Sequence, residues 1–244
     1  MAEIIEYLRS ISPCPVRVMV EKTHERFPGL KSYCETHEAD FKLKPTDKGF
    51  AGKRIEFLLF GRLPNNSSEA DLGELGDLKV THVKRVQNVG YNAKERLTLT
   101  NCGSTNDYST LQHLVQCESM STNRLYKKLR KGVLVVLRHD GKKWTTMEQF
   151  LDTEVVAVFQ YDIEALPETV REVLRTDYAK IQQCVVTNAV SQSGQVYLHI
   201  HPHGSKGSKT RALGFTNKFV TWMIAYYTGR ELVQQGASWF IRNE

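Results

Sequence analysis

Four charged side chains in one stretch carry the chemistry that this chain could do. Glu56 sits in an apolar segment, Asp71 follows a polar turn, and Asp77 and Lys79 stand two apart in a strand-like run. Residues i and i+2 of a strand point to the same side, so Asp77 and Lys79 share a face. A carboxylate and an ammonium side by side, with another carboxylate just upstream, are the minimum apparatus for holding a divalent metal and a water beside a phosphate. Oxygen donors from one or two carboxylates suit Mg²⁺, which keeps waters of its own. The ion would stabilise charge on phosphate oxygens and help generate the nucleophile. Lys79 would orient or deprotonate the water, or stabilise the charged phosphorane. Glu56 lies between Ile55 and Phe57, and a buried charge is costly unless paired or metal-bound. It lies either on the polar edge of its helix beside Lys53 or toward the Asp77 and Lys79 cluster. An Asp-x-Lys strand alone is usually a solvated surface. The neighbouring acids and the basic residues downstream set this one apart.

Other groups are weighed the same way. His199, His201 and His203 alternate in one run, but a tetrahedral zinc site needs a further ligand of matching spacing, and none is evident. Contact with DNA through neutral imidazoles is the favoured reading. The loop GSKGSK at 204–209 lacks the phosphate-loop spacing, so a nucleoside triphosphate site is not expected. Its lysines, with Arg211 and Lys218, suit DNA phosphates, which orient a protein without specifying sequence. The basic turn from Arg124 to Lys131 fits DNA equally well as a solvated helix end, where cations suit the dipole. Phe219, Trp222, Tyr226 and Tyr227 read as core rather than as stacking platforms for bases.

The composition agrees with an anionic partner without requiring one. Lys and Arg number 33 against 27 Asp and Glu, a formal net charge of +6, and a basic field speeds encounter with phosphate polymers. Five scattered cysteines form no CxxC pair, so they read as reduced thiols rather than a disulfide framework or a zinc site. No run approaches the length of a membrane span, and the first ten residues lack a signal-peptide core. The expectation is a soluble, cytoplasmic protein with no membrane partner, associated with the nucleoid when bound to DNA.

The elements that must position these groups follow from periodicity. Ile4, Ile5, Leu8 and Ile11 predict a first helix, and a second begins near Pro15 and breaks at Pro28-Gly29. The apolar residues Phe50, Ile55, Leu58 and Leu59 predict a helix over 50–61 that carries Glu56, and Asn65 to Ser68 form the next loop. Strands are predicted at 76–81, at LTLTN (97–101), at VLVVL (133–137), at VVAVF (155–159) and at VYLHI (196–200). Helices are predicted over 109–130, 168–184 and 218–227, with a closing strand at SWFI. The pattern is mixed α and β without regular βαβ alternation.

With those residues in place, the segment DKGFAGKRIEFLLFG...DLGELGDLKVT resembles the active-site region of MutH, the strand-nicking endonuclease of mismatch repair, and of the related type II restriction enzymes that cut GATC. KERLTL (94–99), RLYKKLRKGVLVVL (124–137) and YLHIHPHGSKGSKTRALGFTNKFVTWMI (197–224) continue the likeness in order, over about residues 46–228. The resemblance implies a PD-(D/E)xK fold of α/β class, a central mixed sheet flanked by helices, with two lobes around a DNA cleft. It divides a single domain into an N-terminal helical segment (1–45), a catalytic core (46–160) and a recognition part (161–244). It assigns Glu56, Asp71, Asp77 and Lys79 to catalysis, the three acids to Mg²⁺, and double-stranded DNA as substrate, cut to leave 5′-phosphate ends. A type II restriction enzyme is the leading expectation, with a mismatch-repair nickase and a non-cleaving DNA-binding effector module as alternatives. The DNA-contacting set is Lys48, Lys94, Arg96, Arg124, Lys128, His201, His203, Lys206, Lys209, Arg211 and Lys218. A homodimer, or a dimer formed transiently on DNA, is compatible with the family. The chain departs from it in three places. Asp77 stands for the family's Glu, Asp71 and Asp77 are one residue closer than usual, so that Glu69 or Glu74 could take the place of Asp71, and His201-Pro202-His203 replaces Arg-Pro-Lys.

Overall fold

A computed structural model describes residues 1–242 except 64–69, 87, 105–110, 113–115, 118, 123–125, 140, 142, 188–193 and 205–206, and of Lys127 the backbone alone. In chain order, the first elements are α1 (Ala2–Ile11), β1 (Cys14–Pro15), α2 (Val16–Arg26), α3 (Pro28–His37) and α4 (Phe50–Phe60). Next come β2 (Asp77–Val86), β3 (Gly90–Ala93), β4 (Leu97–Ser104), α5 (Tyr126–Arg130) and β5 (Lys131–His139). Then follow α6 (Met147–Leu151), β6 (Glu154–Asp162), α7 (Glu168–Val186), β7 (Leu198–Pro202) and β8 (Thr210–Phe215). The last are α8 (Asn217–Thr228), β9 (Leu232–Gln235) and β10 (Ser238–Ile241). The fold is thus mixed α and β, as the sequence pattern predicts.

The chain divides into two compact units, 1–94 with 132–161, and 95–131 with 162–244. Residues 95–131, inside the expected core segment 46–160, therefore group with the C-terminal part.

In the first unit the strand order is β1-β6-β5-β2-β3. β2 runs parallel to β5 and antiparallel to β3, and β1 runs antiparallel to β6, so the sheet is mixed. The register pairs Leu78 with Val133, Val80 with Val135 and His82 with Leu137. This face takes part in an apolar core with Ile5 and Leu8 of α1, Met19 of α2, Cys34 of α3, Phe57 and Leu59 of α4, and Phe150 of α6. Each fully buried aliphatic or aromatic side chain contributes about 1.5–3 kcal/mol from desolvation. Asp77, Lys79 and Thr81 alternate to the opposite face.

Helix α4 is fixed at several points. Gly61 stops it with φ +63°, a left-handed cap that a residue with a Cβ adopts only at a cost. Helix-end carbonyls need partners from outside the helix. The Cys34 thiol donates to the Phe57 carbonyl at 3.3 Å, and His24 Nε2 lies 2.9 Å from the Leu58 carbonyl. Burial pushes the Cys34 thiol up to about 11, which makes it a structural and unreactive group. Buried Arg54 pairs with Glu38 at 2.7 Å and lies over the rings of Phe41 and Phe57. The second helix breaks before Pro28-Gly29 as expected, and a further helix, α3, starts there. Pro28 is the first residue of α3, the position where its missing N–H costs nothing.

The second unit contains an antiparallel sheet ordered β4-β8-β7 and a β9-β10 hairpin. Thr216 caps α8 by accepting from the Phe219 N–H, and Phe219 is fully buried beneath Tyr197 and Phe215. Tyr226, by contrast, is 47% exposed, so the expected core placement of the α8 aromatics holds at its start and not at its end. The predicted helix over 109–130 is not continuous among the described residues, where a short turn at Met120–Thr122 precedes the five-residue α5. The polar, small-residue run around Ser119–Thr122 bonds its hydroxyls to its own backbone, which competes with helix. The predicted loop Asn65 to Ser68 lies outside the described residues.

Candidate functional site

The geometry starts at the turn that precedes β2. Glycines at 73 and 76 let the chain reverse through a tight turn, closed by the Leu72 N–H on the Gly76 carbonyl at 3.0 Å. The reversal folds Asp71 back over the start of the strand, where its Oδ2 accepts the Leu78 N–H at 3.2 Å. One residue fewer between Asp71 and Asp77 therefore does not separate the two acids. Of the alternatives, Glu74 is exposed in this turn and Glu69 lies outside the described residues.

Asp77 opens β2 and is only 2% exposed. Lys79, on the same face, donates from Nζ to Asp77 Oδ2 at 2.9 Å. The pair is held from below by close packing. Gly132 is the register partner of Asp77, and a Cβ there would stand 2.7 Å from the Asp77 carbonyl and 2.7 Å from the Tyr161 hydroxyl. Only glycine allows β5 to approach so closely.

Glu56 belongs to the same neighbourhood. Its carboxyl is raised to about 7, first by burial and then by the charge of Asp71, against the opposing pull of Arg62, Lys79 and Lys53. Glu56 thus feels the charges of Asp71 and Lys79, and Lys79 in turn pairs with Asp77, so the half-buried carboxyl of Glu56 stands near these groups.

Whether the cluster fits a cation depends on its donors. Among the described residues no group of three His, Cys, Asp or Glu side chains is arranged to hold a metal ion by itself. Mg²⁺ asks for less: one or two carboxylates, with water and substrate oxygens completing the shell. Asp71 and Asp77 supply such hard oxygens, and the mutual repulsion felt at Glu56 is what a cation relieves. Asp71, Asp77 and Glu56 are the residues that would hold such an ion, and of these Asp77 is nearly fully buried and already paired with Lys79.

The expected DNA-contacting residues are distributed unevenly. In the first unit Lys48 and Lys94 are exposed. In the second, Arg96 and Lys209 are exposed, while Lys128, His203, Arg211 and Lys218 are half-buried. Arg211 donates to the Ser208 and Thr210 carbonyls, and Lys218 Nζ stands 4.5 Å above the Trp239 ring. Arg124 and Lys206 lie outside the described residues. His201 is 4% exposed, with Nε2 3.3 Å from Thr98 Oγ1. A buried ring cannot reach a base edge from this position. It packs where Gly214 leaves room, since a Cβ at Gly214 would sit 3.0 Å from its Cε1. Burial and the charge of Arg96 lower His199 to about 4, and burial with the neighbouring His199, Arg96 and His203 lowers His201 to about 3.

One residue with a clear task was missed from sequence. Asp177, fully buried in α7, accepts the backbone N–H groups of Val196, Tyr197 and Leu198 at 2.8, 2.5 and 2.9 Å, anchoring the entry to β7. An acid among Leu174, Tyr178 and Ile181 at helical spacing was the available signal.

No protein-family model and no curated protein sequence matches the chain. All five cysteines are free thiols. Among the described residues no helix is long and apolar enough to cross a membrane.

Proposed function

We propose that the chain is a Mg²⁺-dependent, sequence-specific DNA endonuclease of the restriction-enzyme type, with a PD-(D/E)xK active site. The observation that carries this reading is the convergence of Asp71, Asp77 and Lys79 at the start of one strand, with Glu56 sensing the charge of its neighbours. Hydrolysis forms a bond between a water oxygen and phosphorus and breaks the bond from phosphorus to the 3′ oxygen. The water loses a proton, the 3′ oxygen gains one, and the products carry 5′-phosphate and 3′-hydroxyl ends. When bound, Mg²⁺ supplies positive charge to the phosphate oxygens and acidifies water.

The chain's own groups do the rest. Asp77 holds the Lys79 ammonium at 2.9 Å, so Lys79 is presented with a fixed direction to orient the water or to stabilise charge building on the phosphate oxygens. Such a preorganised group is worth on the order of 10²- to 10³-fold in rate. Glu56, half-buried beside the charges of Asp71 and Lys79, assists through a second metal or by orienting Lys79. Exposed Lys48, Lys94, Arg96 and Lys209 engage DNA phosphates and set orientation.

Incubation of the purified protein with Mg²⁺ and plasmid, dam-methylated and unmethylated, tests the reading. Cleavage or nicking by the wild type that Asp77→Ala and Lys79→Ala abolish is the expected result. Intact plasmid in every methylation state, or normal cutting by both variants, removes it. The near-complete burial of Asp77 and the lack of a three-ligand cluster among the described residues favour one second reading, a DNA-binding module that does not cleave. Salt-sensitive DNA binding with no metal-dependent cleavage separates it from the first.

A further inference from the structure

On the opposite face of β2 from Asp77 and Lys79, the first unit holds a cavity of about 520 Å³, of whose lining the nuclease reading uses only the rim lysines Lys48 and Lys94. Its size falls in the range of small-molecule sites, roughly 300–1,000 Å³. His82 of β2, His139 at the end of β5, Trp144, Lys48, Lys94 and Lys143 supply its chemistry. The strand register pairs Lys84 with His139 and His82 with Leu137, so both imidazoles project to the side that carries the helices. Three residues of strand, roughly 10 Å, separate His82 from Lys79.

The aromatic wall is built rather than incidental. The Trp144 indole donates from Nε1 to Thr153 Oγ1 at 2.9 Å and packs edge-on against buried Phe150 at 5.5 Å. Its ring stands 5.4 Å from His82, and His82 stands 6.0 Å from His139. The Gly141 N–H donates to His139 Nδ1 at 2.9 Å, which places the ring proton of neutral His139 on Nε2. The Lys94 N–H bonds to the His82 carbonyl at 2.8 Å, tying the lysine's backbone to the rim. The Asp47 carboxylate, also on the lining, accepts the Lys44 N–H at 2.7 Å. Three ammonium groups against one carboxylate leave the cavity cationic. A fixed indole beside clustered lysines matches a ligand with one planar aromatic part and one phosphate.

We propose that this cavity binds a mononucleotide, its base against Trp144 and its 5′-phosphate among Lys48, Lys94 and Lys143. Stacking on an aromatic side chain contributes about 1–3 kcal/mol per base, and ammonium groups bind phosphate by charge-assisted hydrogen bonds. The same chemistry is presented by a free nucleotide or by a nucleotide within DNA, and the monophosphate and duplex arms of the titration separate the two.

Calorimetric titration of the full chain with deoxyadenosine 5′-monophosphate, deoxyadenosine, inorganic phosphate and a short DNA duplex tests this. The monophosphate binds with a sub-millimolar Kd, and the nucleoside and phosphate each bind at least about tenfold more weakly, a loss of about 1.4 kcal/mol. Lys94→Glu with Lys143→Glu weakens the monophosphate at least about tenfold while thermal unfolding is unchanged, because both side chains are exposed. Trp144→Phe, which keeps a ring in place, weakens the monophosphate and the nucleoside together and leaves phosphate alone. Asp77→Asn leaves monophosphate binding as in the wild type, so a failure of the nuclease reading does not touch this one. Absence of monophosphate binding at about 10 mM, equal binding of phosphate alone, binding of the duplex only, or indifference to the lysine reversals would each overturn the proposal.

Discussion

Replacing Lys79 by methionine and Asp77 by asparagine, singly and together, separates what the pair does for the fold from what it does for chemistry. Lys79 Nζ stands 2.9 Å from Asp77 Oδ2, with the two side chains 20% and 3% exposed. At that distance, and with an effective dielectric constant of about 20, the attraction is roughly 5–6 kcal/mol before desolvation is subtracted. Removing one partner of a buried pair costs about 3–5 kcal/mol, because the other charge is stranded. The partial exposure of Lys79 lets water reach the ammonium, so about 2–3 kcal/mol is expected for each single variant. The double variant strands nothing and loses about 1 kcal/mol or less, which gives a coupling energy of at least about 3 kcal/mol. Urea unfolding of the four proteins measures this cycle. Single-turnover plasmid cleavage with Mg²⁺, at a temperature where all four are folded, measures the other demand: loss of 10²- to 10³-fold for Lys79→Met and no recovery in the double variant. Stability losses that simply add would refute the buried pair, and recovery of cutting in the double variant would refute its catalytic use.

Three further outcomes follow from the geometry. Asp177→Asn keeps one carbonyl oxygen for three backbone donors and turns an amide toward the rest, so about 2–4 kcal/mol of stability is lost at charged hydrogen-bond values; thermal unfolding within a degree of wild type would contradict this. Gly132→Ala forces a Cβ against the Asp77 carbonyl and Tyr161, costing about 1–3 kcal/mol as overpacking. Cleavage should fall further than the folded fraction does, since β2 must shift at Asp77; unchanged stability would refute the close approach. His199 and His201 are held near 4 and 3, below the ordinary 6.5. As pH falls below 6.5 the unfolded chain takes up protons that the native state refuses, so their contribution is present above about pH 6.5 and is lost toward acid, by at most about 1.4 kcal/mol per pH unit for each histidine. Nuclear magnetic resonance titration checks this directly, and imidazole signals of these two residues moving with a midpoint near 6.5 would exclude it.

Much of the architecture was legible because it rests on local patterns. Ile4, Ile5, Leu8 and Ile11 marked α1, the run around Val133–Leu137 marked β5, and Phe50, Ile55, Leu58 and Leu59 marked α4. The strands that escaped, β1, β3, β8 and β9, are short, carry few apolar residues or lie next to glycine-containing stretches, and β1 and β8 have partners distant in sequence. β8, for example, pairs with both β4 and β7, and nothing in TRALGF alone announces either neighbour. Register and pairing are tertiary choices, which is also why β2 extends through the basic residues His82 to Val86 instead of ending at Thr81.

The site divides along the same line. That Asp77 and Lys79 share a face follows from strand periodicity alone, whereas the approach of Asp71 depends on a turn whose two positive-φ glycines fold the chain back. That turn leaves Asp71 bonded to the Leu78 N–H, at the start of the strand that Asp77 opens, despite the shortened spacing. Exposure is the property that spacing does not encode. His201 and His203 stand two apart in the chain and were expected to act alike, yet the strand buries the first ring against Gly214 and leaves the second half-exposed. The same holds for His82 and Lys79, only three residues apart, which alternation sends to opposite faces of one strand, the lysine to the candidate catalytic cluster and the histidine to the cationic cavity. A single strand thereby presents two chemically different surroundings, and a substitution at either position should be read first against the face on which it falls.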